Sequence, residues 1–104
     1  MTEIENEFHQ AMLYIYKKAK EECHYNATYF LQMVEERGGL QAAKRLLING
    51  APQDGFIKLW ELGRLDLSME SVVLSKRFRS LFTEVELKVA KERLEEYRYE
   101  ITDR

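Results

Sequence analysis

The sequence predicts an all-α protein: a compact bundle of five or six helices, with long first and last helices, in a single domain spanning residues 1–104. Apolar residues recur at intervals of three and four along most of the chain, which is the spacing of one helix face. Capping residues and glycines divide this pattern into separate segments. No stretch of the sequence shows the alternation of apolar and polar residues, bounded by turns, that indicates a strand.

The two long helices are predicted from matching start signals near the ends of the chain. Thr2 with Glu5, and Thr83 with Glu86, have the spacing of a capping box, in which each side chain bonds the other residue's backbone N–H. The first helix, predicted over residues 2–23, carries an apolar stripe of Ile4, Phe8, Met12, Ile15, Ala19 and Cys23. The last, predicted over residues 84–100, carries Leu87, Ala90, Leu94 and Tyr97. Its charged side chains, Lys88, Lys91, Glu92, Arg93, Glu95 and Glu96, are expected around the rest of its surface.

A tight helical hairpin is predicted between residues 26 and 49. Asn26 is a suitable N-cap for a helix that runs to Arg37. Gly38 suits the left-handed position after that helix, and Gly39 can open the next one, which is predicted to end at Asn49.

The centre of the chain, DGFIKLWELGRLDLSMESVVL at residues 54–74, is predicted to form short helices. Pro52 ends the preceding helix, and Asp54 can cap the next. Phe56, Leu59 and Trp60 share one helix face, so flanking helices are expected to pack around the Trp60 ring. After a left-handed Gly63, either Asp66 or Ser68 can cap a further short helix.

Composition and charge narrow the function classes. The 16 Lys and Arg residues are balanced by 18 Asp and Glu, so the basic excess of a dedicated duplex-binding protein is missing. A single cysteine, Cys23, fits a reducing compartment without disulfides. The start MTEIENEF lacks the apolar region of a signal peptide, and no apolar run is long enough to cross a bilayer. We therefore expect a soluble, cytoplasmic protein that does not bind membranes.

Motifs for catalysis, metals and cofactors are lacking in the sequence. Cys23 and His24 are adjacent and point about 100° apart on a helix, so they would not form a nucleophile–base pair. With His9 they are too few for a structural metal site, which needs about four ligands. The glycines match neither the GxGxxG motif of dinucleotide-binding proteins nor the GxxxxGK(S/T) motif of the P-loop. The sequence thus predicts no catalytic, metal or cofactor residues and favours a non-enzymatic role.

Tyrosines beside the apolar stripes indicate a protein interface. Six tyrosines are many for so small a core, and tyrosine is favoured at protein contacts. The candidate interface consists of Leu13, Tyr14, Tyr16, Tyr97 and Tyr99. We expect an accessory or oligomerisation module whose partner is another protein or a second copy of the chain.

An alternative prediction is a nucleic-acid-associated module that works in regulation or in defence against mobile elements. Its candidate patch consists of Lys44, Arg45, Lys76, Arg77 and Arg79. Nearby acidic residues, Asp66, Glu70, Glu84 and Glu86, weaken the positive field of this patch.

Three segments together resemble a widespread family of small bacterial helical proteins: YNATYFLQMVEERGGLQAAKRLL, DGFIKLWELGRLDLSMESVVL and LFTEVELKVAKERL. The resemblance covers residues 8–97. It implies a bacterial, cytosolic helical domain, and it implies no activity and no site residues.

Overall fold

A computed structural model describes residues 2–48 and 54–101 of the chain. Within these residues the chain forms six α-helices and no strand: α1 Glu3–Cys23, α2 Thr28–Arg37, α3 Gly39–Ile48, α4 Asp54–Glu61, α5 Met69–Val73 and α6 Glu84–Glu96. Two 3-10 turns, Leu65–Leu67 and Arg79–Leu81, lie on either side of α5. The predicted all-α bundle, with its long first and last helices, is confirmed.

The core is one cluster of apolar side chains contributed by every helix. The most enclosed large side chains are Phe8, Met12, Val34, Val73 and Leu94. Helix α3 packs against α1, α2 and α6, and α5 packs against α6. These contacts bury the middle of the predicted apolar stripes, from Phe8 to Ala19 in α1 and at Ala90 and Leu94 in α6. The outer members of both stripes are half-buried. This burial is the main term that stabilises the fold.

Three of the predicted capping residues, Thr2, Ser68 and Thr83, cap helices in the structure. The Thr2 hydroxyl accepts a hydrogen bond from the Glu5 N–H, and Thr83 with Glu86 forms a complete capping box at the start of α6. Of the two candidates for the cap of α5, Ser68 is the one used, because its hydroxyl accepts from the Ser71 N–H.

The joint between α2 and α3 shows why two glycines stand together there. Gly38 has a positive φ of 83°, a conformation that costs glycine little. Gly39 lies so close to α1 that a Cβ on it would be 2.6 Å from the His9 Cα. The Gly39 N–H donates to His9 Nδ1 at 2.8 Å, so the start of α3 is bonded directly to α1.

Several predicted boundaries differ from the structure. Asn26 does not cap α2: the N-cap is Ala27, and the Asn26 side chain instead accepts a hydrogen bond from Tyr16. Asp54 is the first residue inside α4 rather than its cap. Helix α6 ends at Glu96, before the predicted residue 100, because Arg98 adopts a positive φ of 59°. The predictions for Asn49 and Pro52 lie outside the described residues.

Candidate functional site

An open cavity of about 490 Å³ lies beneath α4, and we refer to it as the α4 cavity. Its walls come from the C-terminal half of α1, the N-terminal half of α2, helix α4 and the start of α5. Among the larger side chains that line it are Tyr16, Tyr25, Tyr29, Phe30, Met33, Phe56 and Leu59. A cavity of this size with mainly apolar and aromatic walls is typical of small-molecule and cofactor sites.

The shape of this cavity depends on how the chain turns after α1. His24, the C-cap of α1, has a positive φ of 55° and ends the helix. The Tyr16 hydroxyl then donates to Asn26 Oδ1 at 2.7 Å, which fixes the turn against α1. Gly55 lets α4 approach this turn closely, because a Cβ there would be 3.2 Å from the Tyr25 hydroxyl.

A buried ion pair lies at the floor of the cavity. Glu70, at the start of α5, lines the cavity and is 3% exposed, and its Oε2 accepts from an Arg93 guanidinium nitrogen at 3.0 Å. A second guanidinium nitrogen donates to the Leu46 carbonyl oxygen at 3.2 Å, so this arginine links α3, α5 and α6. Burial raises the pKa of Glu70, and a hydrogen bond from its own backbone and then the hydrogen bond and charge of Arg93 oppose that rise. The prediction that Arg93 belongs to the surface of α6 is wrong, since Arg93 is 5% exposed.

Trp60 lies outside the cavity and is half exposed. Its exposed fraction is 47%, so the prediction that surrounding helices enclose the ring is wrong. Phe56 and Leu59 of the same predicted face are buried. The Trp60 and Tyr97 rings meet edge to face at 5.3 Å, and Tyr97 meets Phe56 in the same way at 5.1 Å. The three rings therefore form a row from the surface of α4 to the cavity wall.

The structure separates the tyrosines of the predicted interface. Tyr16 lines the α4 cavity, whereas Tyr14, which is 57% exposed, lines a second cleft together with Arg64. Residues two apart on a helix point to opposite sides, which explains this separation. Tyr97 packs against Trp60, while Leu13 and Tyr99 are half-buried against the core.

Carboxylates engage part of the predicted basic patch. Arg77 binds Glu7 through two hydrogen bonds of 2.7 and 2.8 Å. Lys44 binds Glu86 at 2.7 Å. Arg79 donates to the Leu74 carbonyl, and Arg45 and Lys76 are exposed. The positive field of the patch is therefore weaker than its residue count indicates.

Comparisons with protein-family models, with curated proteins and with solved structures found no match for this chain. The resemblance to a bacterial family therefore stays a prediction. Within residues 2–48 and 54–101, no three His, Cys, Asp or Glu side chains are grouped so as to hold a metal ion. No helix in the same part of the chain is both long and apolar enough to cross a bilayer.

Proposed function

We propose that this protein is a non-enzymatic interaction module that binds a partner protein through the outer surface of α4. The observation that carries the proposal is the half-exposed Trp60 ring, held edge to face on Tyr97. Tryptophan is enriched among the few interface residues that supply most of the binding energy. A ring already fixed by a neighbour loses little conformational freedom when a partner covers it, which favours affinity.

Of the residues in the predicted tyrosine interface, this proposal retains Tyr97 and excludes Tyr14. Tyr97 belongs to the α4 surface because it supports Trp60. Tyr14 belongs to the second cleft, where the Lys18 ammonium lies 5.6 Å from the centre of its ring. We therefore assign the principal contact to the C-terminal part of α4 and not to the exposed side of α1.

The test compares three single substitutions, each at an exposed residue. Trp60→Ala removes the proposed contact, Tyr14→Ala removes the other candidate, and Val85→Ala is the control, because Val85 is exposed and apolar and lies at the start of α6. Quantitative affinity capture from the native cell, with sedimentation of the purified proteins, measures partner binding and self-association.

We expect one or more proteins, or the second copy of this chain, to be retained by the wild type and the Val85 variant and lost from the Trp60 variant. Retention of the same set by all three variants, together with monomeric sedimentation throughout, would contradict the proposal. Loss from the Tyr14 variant alone would transfer the interface to the second cleft.

The nucleic-acid alternative has less support, because Arg77 and Lys44 are paired with carboxylates. The exposed Arg45 is the residue of the patch that favours it. Filter binding with single- and double-stranded DNA and RNA over a salt series tests this alternative. Binding that weakens steeply with salt, and weakens further in an Arg45→Ala/Lys76→Ala variant, would support it.

A further inference from the structure

We propose that the α4 cavity is a binding site for a small organic amine with an apolar, preferably aromatic, body. This site is distinct from the protein-binding surface around Trp60, which does not line the cavity. The proposal rests on the size of the cavity, the chemistry of its walls and the signs of the charges that line it.

Size and wall chemistry favour a compact apolar body. The volume of about 490 Å³ lies within the range of small-ligand sites, which are roughly 300–1,000 Å³. Tyr16, Tyr25, Phe30 and Phe56 present aromatic rings to it, and Met33 and Leu59 are among the aliphatic side chains between them. Aromatic rings attract a cation through the negative potential of their faces, so such a wall also suits an ammonium group.

The charges at the cavity select an amine over an acid. Asp54 and Glu70 line it, whereas no Lys, Arg or His does so among the described residues. Glu70 already has Arg93 as its partner, so Asp54, which is exposed, is the negative side chain left to meet the head group of a ligand. Tyr25 and Asp54 both line the cavity, and burial and, after it, the negative charge of Asp54 raise the pKa of Tyr25.

The N-terminal ends of α2 and α4 also border the cavity, and helix N-termini favour anions. In α4 that preference is offset because Asp54 occupies the first turn itself. A carboxylate ligand would therefore meet Asp54 without a basic side chain to receive it. Ligands that share one apolar body and differ only in the charge of the head group can therefore test whether the site prefers a cation or an anion.

The test uses phenethylamine, phenethyl alcohol and phenylacetate, which share a phenyl body and differ in the charge of the head group. Two-dimensional NMR of the full chain at neutral pH, followed during titration, gives each affinity and shows whether Gly55 and Tyr25 respond. We expect phenethylamine to bind roughly two- to fivefold more tightly than the alcohol, as for one partly screened ion pair, and phenylacetate to bind most weakly.

Two variants separate charge from volume. Asp54→Asn keeps a polar residue in the first turn of α4 and should reduce the affinity for the amine to that for the alcohol. Ala27→Phe, at a half-buried residue on the cavity wall, should weaken all three ligands by filling space. Circular dichroism and the NMR spectrum establish that each variant is folded.

Three results would overturn the proposal: no titration with any of the three compounds, phenylacetate binding as tightly as phenethylamine, or an Ala27→Phe variant that is folded and binds the amine unchanged. None of these results depends on partner capture. The ligand proposal and the protein-interaction proposal can therefore fail separately.

Discussion

Replacing Arg93 by methionine tests the structural role of the buried ion pair. Methionine keeps an unbranched apolar stem in place of the arginine stem and removes the charge, which leaves Glu70 with no counter-charge in a site where it is 3% exposed. It also removes the hydrogen bond to the Leu46 carbonyl, which ties α3 to α6. The matched control is Lys91→Met, because Lys91 lies on the same helix and is exposed.

The expected cost is large because one member of a buried pair is removed while the other remains. Such changes lower the free energy of unfolding by about 3–5 kcal/mol. For a chain of this size each kcal/mol shifts the melting temperature by about 4–8 °C, so a fall of at least roughly 12 °C is expected. Urea unfolding followed by far-ultraviolet circular dichroism measures the free energy directly. The Lys91→Met control should stay within about 0.5 kcal/mol of the wild type.

Acid should reduce the deficit of the Arg93→Met variant. Without the guanidinium, the pKa of Glu70 rises further above its ordinary value, because burial is then opposed only by the hydrogen bond from its own backbone. A raised folded-state pKa adds stability below the unfolded-state pKa, and this stability is lost as pH rises through the folded-state pKa. The variant should therefore approach the wild type as pH falls, and adding Glu70→Gln should remove this dependence on pH. A deficit below about 1 kcal/mol at neutral pH, or one that does not change with pH, would refute the reasoning.

Four further changes have expected outcomes. Gly39→Ala should destabilise the protein strongly, because its Cβ would lie 2.6 Å from the His9 Cα, and a near-unchanged urea midpoint would contradict the close packing of α3 on α1. Thr83→Ala should lower the free energy of unfolding by about 1 kcal/mol, because it removes the cap of α6. Glu86→Ala should lower it by more than an ordinary surface change, because it also removes the ion-pair partner of Lys44 on α3. Trp60→Ala should cost clearly less than the roughly 3–5 kcal/mol of a fully buried tryptophan, since about half of its surface is in water, and a larger loss in thermal melting would place the ring in the core after all.

The parts of the fold that the sequence predicts well are those that depend on neighbours along the chain. The cap at Thr83 and the positive φ of Gly38 and Gly63 each require atoms no more than a few residues away. The apolar stripe of α1 is similarly local, since its spacing alone defines one face of the helix.

The parts that the sequence does not predict depend on how the helices dock. Phe56, Leu59 and Trp60 share an arc of α4, but only docking decides which edge of the arc faces the core, and Trp60 lies at the exposed edge. Glu70 and Arg93 are separated by 23 positions along the chain, and each resembles an ordinary charged residue of a helix surface. The α4 cavity is formed by several helices together, and no single segment carries a signal for it.

The position of Trp60 also gives the protein an internal reporter. It is the only tryptophan in the chain, and it lies on α4, whose principal packing among the helices and turns is against the Leu65–Leu67 turn. Its fluorescence therefore follows the local environment of α4, while the helical signal of the whole bundle follows global unfolding. Emission that shifts to the red before ellipticity is lost would reveal an intermediate in which α4 has detached and the remaining helices are still folded.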